Sequence, residues 1–359
     1  MRRCVLARLL NLLQVNREHN EHGEYLMDDS RISLAHGNGG RFMRELIEDV
    51  FARHLHNSEL DTQADAVAIA LGDGEVLITT DGFTVQPLEF PGGDIGSLAI
   101  HGTINDLSVA GARPKFLTLN AFIEEGLEIE TLDRIVASLA RAADEAGVKI
   151  SAGDTKVVRR GEGGGLYLAT TGVGIRLPGT IPSMKLIRDG DVLLVSGTVG
   201  DHGTAVMLAR EAFGLRGDLV SDAAPVMTLT EPLLQLPGLR FMRDPTRGGI
   251  ASIAHEILRA TGLGVRFEAT IPVKEQVQSV CDMLGYDPFY LACEGRVVAV
   301  VAPDQADAAL QIWQGLAAGR DAARIGRIVA DSDRIILETS LGGERFLEEL
   351  EDDPLPRIC

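Results

Sequence analysis

The clearest periodic pattern in the chain lies between Glu128 and Ala146. Apolar residues recur there at intervals of three and four positions, which predicts a helix with one buried face. Gly147 follows directly, and a glycine in this position is typical of a helix end because it adopts a left-handed backbone at little cost. The stripe consists of Leu132, Ile135, Val136, Leu139, Ala140 and Ala143.

Further segments are assigned by the same rules. Helical spacing predicts helices at 41–55, 94–110, 203–213, 227–236, 249–260, 274–284 and 304–317. Apolar runs between turn residues predict strands at 66–71, 76–80, 115–123, 148–152, 166–175, 191–196, 265–271, 297–301, 325–329 and 334–338. The first two strands flank Gly72-Asp73-Gly74-Glu75, which predicts a β-hairpin. Strand pairs interrupted by helices indicate an α+β layered fold and not strict βαβ alternation.

The length of 359 residues exceeds the size at which a single core usually stops growing, so two domains are expected. Residues 177–182 contain two prolines and a glycine between periodic segments, which places a boundary there. We expect domains at 30–178 and 183–342, followed by a mobile tail at 343–359. Residues 1–29 begin like a signal peptide but are interrupted by polar residues and lack a small-residue cleavage site, so we interpret them as a disordered extension.

Charge and cysteine content narrow the functional classes. The net charge of −18 argues against nucleic acid and against anionic membrane surfaces, because both require clustered Lys and Arg. No apolar run is long enough to span a bilayer. The four cysteines form no CxxC pair, which favours a reducing cytoplasm. Glycine is frequent, with 40 residues, and this indicates tight turns and close approach of the backbone to a ligand.

Four aspartates lie beside glycine, Asn or Thr at predicted element ends, and they are the first candidates for chemistry. They are Asp81, Asp106, Asp154 and Asp244. Carboxylates placed in this way suit Mg²⁺ bound together with nucleotide phosphates, although each one taken alone is more often a turn former or helix cap. Lys156 is a candidate partner for a phosphate, and the loop His36-Gly37-Asn38-Gly39-Gly40 precedes a helix that could receive an anion. No Walker A pattern occurs, so an ATP site must be of another type.

Two further candidates lie in the last third of the chain. Glu294 precedes a glycine at the entrance to a strand and could act as a general base, or could simply end a turn at the surface. Cys359 is the final residue and follows Pro354 and Pro356, which favour an extended strap that could carry a thiol into and out of a pocket. Read alone, it could equally be an incidental thiol.

Taken together, these stretches resemble the HypE family of hydrogenase maturation factors, within the PurM-like superfamily of ATP-binding proteins. The matching segments are LAHGNGG (34–40), TTDGF (79–83), FPGGDIGSLAIHGTINDLSVAGARP (90–114), EEGL (124–127), GDTKVV (153–158), LLVSGTVGDHG (193–203), RDPTRGG (243–249), CEGR (293–296) and PLPRIC (354–359). The resemblance extends from about residue 30 to the end of the chain. Cys293 departs from the family, which usually has Asn before the glutamate.

The resemblance implies a two-domain PurM-like fold in which the N-terminal sheet forms a homodimer interface. It also implies an activity: ATP-dependent dehydration of an S-carbamoyl group on the terminal cysteine to a thiocyanate, which provides cyanide ligands for the iron of [NiFe]-hydrogenase. The partners are then a HypF-type carbamoyltransferase and a HypC–HypD complex. The expected catalytic residues are Cys359, Glu294 and Lys156.

The remaining expected site residues bind the nucleotide and its metal. ATP is expected to contact Gly37, Gly39, Gly40, Asp81, Asn105, Asp106, Gly153, Asp154 and Asp244, and Mg²⁺ is expected to bind Asp81, Asp106 and Asp154. Two other functions remain open: another PurM-like ATP enzyme, such as a small-molecule kinase or a selenophosphate synthetase, and a non-catalytic thiol carrier. Neither kinase nor synthetase needs a C-terminal cysteine.

Overall fold

The computed structural model describes residues 30–38, 41–62, 64, 66–210, 218–339 and 341–350. The predicted extension at 1–29, the glycines Gly39 and Gly40 and the terminal Cys359 lie outside the described residues. No helix of the described part is both long and apolar enough to cross a membrane.

The first half of the chain forms a four-stranded sheet covered by helices on one face. Its strands follow the order β1-β6-β4-β5, and only the β4–β5 pair is parallel. The strands are β1 (Val76–Phe83), β4 (Ala112–Glu124), β5 (Lys149–Val158) and β6 (Leu166–Arg176), and a separate two-stranded ribbon joins β2 (Glu89–Phe90) to β3 (Gly93–Asp94). The helices are α1 (Arg41–Leu46, continued by a π-helical stretch Ile47–Ala52 and by Arg53–Leu55), α2 (Ile95–Val109) and α3 (Ile129–Ala146).

Helix α2 is buried on almost all sides. Asp94 caps it by accepting hydrogen bonds from the backbone N–H groups of Gly96 (2.8 Å) and Ser97 (3.0 Å), as its position in the sequence predicts. Almost every residue of α2 is buried, because the helix packs against the sheet on one side and against the second half of the chain on the other. A helix that is apolar on all sides is stable only in such an enclosed position.

The second half is built on a seven-stranded mixed sheet with the order β13-β12-β9-β11-β7-β10-β8. Its strands are β7 (Val192–Val195), β8 (Leu239–Arg243), β9 (Gly264–Phe267), β10 (Val298–Val301), β11 (Ala323–Val329), β12 (Ile335–Glu338) and β13 (Glu344–Phe346). Its helices are α4 (Asp201–Ala209), α5 (Met227–Leu233), α6 (Gly249–Thr261), α7 (Glu275–Leu284) and α8 (Ala306–Gln314). The central strands are apolar on both faces because helices cover both sides of the sheet.

The predicted hairpin is wrong. Residues 66–71 form no strand, and β1 instead pairs antiparallel with β6, about ninety residues later, from Val76 opposite Ile175 to Phe83 opposite Leu168. The turn residues before β1 are present as expected, but the ladder partner was decided by long-range packing. The sequence also missed β8 and the short strands β2, β3 and β13.

The predicted ends of two strands also need correction. Strand β1 continues through Asp81 to Phe83, and β5 continues through Gly153, Asp154 and Lys156 to Val158. These residues therefore lie within strands and not at strand ends. Their side chains consequently alternate between the two faces of the sheet, which determines which of them can meet.

Candidate active site at the junction of the two halves

Four carboxylate side chains meet where the two halves of the chain face each other. Asp81 comes from β1, Asp106 from α2, Asp244 from the residue after β8, and Glu294 from the segment before β10. We refer to these four residues as the junction cluster. They line a small pocket together with Arg247, and a cavity of about 260 Å³ opens beside Asp81, Asp106 and Asp244. The elements that carry them are far apart in sequence, so only the packing of the two halves brings them together.

Close packing of α2 on β1 places the two carboxylates of the first half. Asp106 accepts a hydrogen bond from the Thr79 hydroxyl on β1, at 2.8 Å. Gly102 lies one turn earlier, and a Cβ atom there would come within 2.8 Å of the Phe83 ring and 3.9 Å of the Asp81 carboxylate. A side chain at this position would push the helix away from the strand and open the site.

A tight glycine turn shapes the second half of the site. Gly248 and Gly249 have φ angles of +70° and +58°, in the left-handed region that favours glycine. A Cβ atom on Gly249 would lie 2.6 Å from the Phe289 carbonyl oxygen. This turn starts α6 next to Asp244 and points Arg247 at the junction cluster, where its guanidinium lies 4.0 Å from the Asp81 carboxylate.

Burial and mutual repulsion raise the pKa of several of these carboxyl groups. Burial, followed by the charge of Asp106, raises the pKa of Asp244 to about 7. Burial, followed by the charges of Asp244 and Asp222, raises the pKa of Glu294 well above its usual range. The pKa of Asp106 is also raised, first by burial and then by Asp81. The protein thus concentrates carboxylates in one place with too little positive charge to balance them, an arrangement typical of functional sites.

Glu294 is the most deeply placed member of the junction cluster, at 2% exposure. Its Oε1 atom is buried and has no hydrogen-bond partner in the protein. An unpaired buried carboxyl oxygen costs folding free energy, so a ligand group or a cation that pairs with it would be strongly favoured. The surface location that the sequence left open for this residue is therefore wrong.

The side-chain amide of Asn105 forms its hydrogen bonds within the protein. Its Nδ2 donates to the carbonyl oxygens of Ala224 and Glu294, both at 3.0 Å, and its Oδ1 accepts from the Val226 N–H at 2.9 Å. The side chain is 1% exposed and ties α2 to two loops of the second half. Both Nδ2 hydrogens of Asn105 are therefore engaged within the protein, and its expected contact with a nucleotide stays a prediction.

Asp154 and Lys156, which we call the open-face pair, do not join the junction cluster within one chain. They lie on β5, at the opposite edge of the sheet from β1, so three strand spacings or roughly 14 Å separate the two strands. Asp154 pairs in register with Asn120 on the uncovered face, whereas Asp81 points towards α2. The Lys156 ammonium and the Asp154 carboxylate form a 3.1 Å ion pair, and these two side chains are 59% and 53% exposed.

Gly37 and Gly153, the two described glycines that were expected near the nucleotide, lie at the same edge as the open-face pair. A Cβ atom on Gly37 would lie 2.7 Å from the Cβ of Val157 on β5, so this loop packs directly against the strand. Gly153 approaches β4 closely, since its Cβ would lie 2.6 Å from the Leu119 carbonyl oxygen. The structure thus divides the predicted site residues that it describes between two places.

The two cysteines that the structure describes are buried. Burial raises the pKa of the Cys281 thiol to about 12. The pKa of Cys293 is raised well above its usual range, mainly by burial, and its sulfur accepts a hydrogen bond from the Gly200 N–H at 3.2 Å. Neither thiol is available as a nucleophile.

Two residues near the site were not singled out from the sequence. Arg247 lies inside the RDPTRGG segment, three residues after Asp244, and this closeness in sequence is a signal that could have identified it. Asp222 lies in no motif, and nothing in its local sequence marks it. Its side chain is buried in the structure, where one carboxylate oxygen accepts a hydrogen bond from the Glu294 N–H at 3.2 Å.

No metal site is preformed in the described residues: no three His, Cys, Asp or Glu side chains there are arranged to hold an ion by themselves. The junction cluster nevertheless supplies hard oxygen ligands in a cavity. Mg²⁺ in nucleotide sites is commonly bound by one or two carboxylates together with waters and phosphate oxygens. The donor set therefore fits a magnesium ion that arrives with a phosphate-bearing ligand.

Comparison with known proteins identifies the class of this fold. Residues 63–176 match the model for the N-terminal domain of AIR synthase related proteins, and residues 188–338 match the model for their C-terminal domain. Carbamoyl dehydratase HypE of Azotobacter vinelandii is 45% identical over 331 residues, which cover 91% of this chain and 97% of the relative. The chain belongs to the HypE family of carbamoyl dehydratases, within the AIR synthase related, PurM-like class.

Solved structures agree with this assignment. A crystal structure of hydrogenase maturation protein HypE in complex with ATP matches with a TM-score of 0.86 and 42% identity, over 91% of this chain and 99% of the other. A crystal structure of a HypE–HypF complex matches with a TM-score of 0.74 and 45% identity, over 85% and 99%. The expected family and the PurM-like α+β fold are both confirmed.

Proposed function

We propose that this protein uses ATP to dehydrate an S-carbamoyl group on Cys359 to a thiocyanate, as a source of cyanide ligands for the iron of [NiFe]-hydrogenase. Family membership supports the activity. The observation that carries the assignment to a site is Glu294, whose buried and unpartnered carboxyl oxygen lies inside a cluster of carboxylates. The overall change converts the S-carbamoyl group and ATP to a thiocyanate, ADP, phosphate and a proton.

ATP and Mg²⁺ are proposed to bind at the junction cluster. The relative that was solved with ATP supports the nucleotide, and the oxygen-rich cavity supports the metal. Asp81 and Asp106 are the proposed Mg²⁺ ligands, and Asp244 and Arg247 flank the phosphates. Bound Mg²⁺ would neutralise the terminal phosphate and make it a better acceptor for the carbamoyl oxygen. The positive charge would also favour the ionised forms of the carboxyl groups whose pKa burial raises.

Glu294 is proposed to act as the general base. An amide oxygen is a poor leaving group, and its transfer to phosphate removes this difficulty. Forming the nitrile then requires that the nitrogen lose its protons, so a carboxylate within one hydrogen bond of that nitrogen is needed. Glu294 is deep enough to exclude water, which would otherwise hydrolyse the activated carbamoyl group.

A second copy of the chain is proposed to complete the site. The uncovered face of the first sheet carries exposed apolar side chains, with Ile78 at 71% and Phe122 at 41% exposure, which a homodimer would bury. The same face carries the open-face pair. We propose that β5 of one copy lies beside β1 of the other and that Asp154 and Lys156 extend around the strand edge to the phosphates bound at the neighbouring junction cluster. Lys156 would then balance charge on the transferred phosphate. Light scattering at micromolar concentration should give the mass of a dimer, and a monomer would contradict this arrangement.

The position of the last described residues is compatible with delivery of Cys359 to the site. The segment before the tail lies along α6: the His255 ring donates to the Leu347 carbonyl oxygen at 3.0 Å, and Arg259 pairs with Glu349. Ten residues of α6 separate Arg259 from the site, a distance of about 15 Å. The nine residues 351–359 can span at most about 30 Å. The tail is therefore long enough to return to the start of α6, beside the site.

The tail would also present the thiol to partners. We propose a HypF-type carbamoyltransferase as the donor of the carbamoyl group, supported by the HypE–HypF complex of a relative, and a HypC–HypD complex as the acceptor of cyanide. The cytoplasm is the proposed location, since the reaction consumes ATP and requires a reduced thiol.

Intact-mass analysis tests the function directly. Incubation with a HypF-type partner and its substrates should add one carbamoyl group, and ATP with Mg²⁺ should then remove one water. Cys359→Ala should remain folded and gain no carbamoyl mass, whereas Cys281→Ser should be loaded normally because that thiol is buried. Loading of the Cys359→Ala variant, or mass loss without ATP, would refute the assignment.

A further inference from the structure

The main chain of Glu294 is held from both sides by buried side chains of other segments. On one side the Asp222 carboxylate accepts a hydrogen bond from the Glu294 N–H at 3.2 Å. On the other side the Asn105 amide donates to the Glu294 carbonyl oxygen at 3.0 Å. The two contacts come from positions 72 and 189 residues away, so no local turn explains them.

Asp222 is itself fixed in place. The Arg296 guanidinium lies 3.4 Å from its second carboxylate oxygen, and the same guanidinium donates to the Thr198 carbonyl oxygen at 2.9 Å. Gly295 allows the close approach, because a Cβ atom there would lie 1.9 Å from the Asp222 carbonyl oxygen. The strand entrance that carries Glu294 therefore fits tightly against residue 222.

Asn105 connects Glu294 to the other side of the site. The next residue in α2 is Asp106, which is hydrogen-bonded to Thr79 on β1. A shift of Glu294 relative to Asp106 would break the hydrogen bonds of the Asn105 side-chain amide, which also contacts Ala224 and Val226. The relative position of the two carboxylates is thus set by one buried amide.

We propose that Asp222 and Asn105 are positioning residues that place the Glu294 carboxylate for proton removal, an inference that rests on the function proposed above. Neither side chain needs to touch ATP or the carbamoyl group. Their effect is geometric, because a base must stand within one hydrogen bond of its proton and an error of about 1 Å can cost on the order of 100-fold in rate.

The test measures the single-turnover rate at which water is lost from protein that already carries the carbamoyl group. ATP and Mg²⁺ are added to this protein, and its intact mass is recorded over time. Asp222→Ala should slow this step by roughly 10- to 100-fold, with carbamoyl loading and ATP affinity unchanged. Asp222→Asn should recover most of the rate, since its side-chain oxygen can still accept the Glu294 N–H. Asn105→Ala removes the other contact and provides an independent variant with the same expectation.

Asp191→Ala is the matched control. Asp191 is an equally buried aspartate that accepts a backbone N–H from Arg188 at 2.7 Å and lies 3.3 Å from the Arg240 guanidinium, at the other end of β7 from the site. The Asp191→Ala substitution should lower the melting temperature and leave the rate of water loss unchanged.

Three results would overturn the inference. The first is a normal rate in both Asp222→Ala and Asn105→Ala, and the second is an equal loss of rate in Asp191→Ala. The third is an Asp222→Asn variant as slow as Asp222→Ala. A wild-type chain that is loaded but never loses water would instead refute the proposed function, and this inference with it.

Discussion

The junction cluster and the open-face pair place carboxylate side chains in opposite surroundings. At the junction, Asp244 and Glu294 are buried, and their raised pKa values show that the folded chain disfavours their charge. On the open face, Asp154 and Lys156 are more than half exposed and pair with each other. Buried carboxylates respond strongly to an arriving cation, whereas an exposed pair is screened by water and contributes little by itself. The comparison favours the junction as the place where a bound cation acts, and the open face would contribute only through the proposed second copy.

The largest expected effect is at Glu294. Glu294→Gln keeps the shape of the side chain and cannot accept a proton, so the rate of water loss should fall by about 10²- to 10⁴-fold. ATP binding and carbamoyl loading should persist, and the protein should accumulate as the S-carbamoyl form in intact-mass analysis. A normal rate would show that another group is the base. Failure to load would show that Glu294 serves the contact with the carbamoyltransferase.

Asp81 and Asp106 should show the next largest effect. Removal of one carboxylate that contacts a charged ligand lowers the affinity by roughly 10- to 100-fold. Asp81→Ala and Asp106→Ala should therefore weaken Mg²⁺-dependent ATP binding by this factor, as measured by calorimetry. The exposed Asp144 at the end of α3 supplies the control Asp144→Ala, which should bind normally. Unchanged affinity in both junction variants would place the nucleotide elsewhere.

Subunit complementation tests whether the open-face pair acts across a dimer. Lys156→Ala and Glu294→Gln should each be inactive alone. If Lys156 serves the neighbouring copy, half of the randomly mixed dimers contain one intact site, and the mixture should recover about one quarter of the wild-type rate. Recovery should require refolding or exchange of subunits. A mixture as inactive as its components would place Lys156 in the same site as the Glu294 of its own chain, or outside the reaction.

The smallest expected effect concerns stability and acid. His101 lies on α2, one turn before Asn105, where burial lowers its pKa to about 4 and neither ring nitrogen has a hydrogen-bond partner. Because the unfolded chain binds this proton more readily, stability should decrease as the pH falls below about 6.5. The loss between pH 7 and pH 5 should be about 2 kcal/mol. His101→Leu should flatten this dependence in thermal melts, and an equally steep dependence in the variant would assign the acid sensitivity to other groups.

Much of the architecture could be read from local patterns. The helix stripe at 128–146, the Asp94 cap and most strands of the second sheet depend on interactions within a few residues, and they appear within a few residues of the predicted positions. The family was also evident from short motifs whose residues are contiguous in sequence. The confirmed fold class follows from these two kinds of local information.

Non-local packing decided the remaining features. The partner of β1 is β6 and not the preceding residues 66–71, because ladder pairing depends on which strand can bury the shared face. The alternation of side chains along β5 and β1 separated Asp154 from Asp81, although their motifs look alike in sequence.

The sequence by itself determined which residues are candidates for the chemistry: the carboxylates, the lysine and the terminal thiol, whose reactivity belongs to the residue types. Only the tertiary structure decided their states and neighbours. It buried Glu294, raised its pKa and held its main chain between Asp222 and Asn105. Desolvation and hydrogen-bond geometry depend on atoms brought together from distant parts of the chain, so no pattern along the sequence contains them.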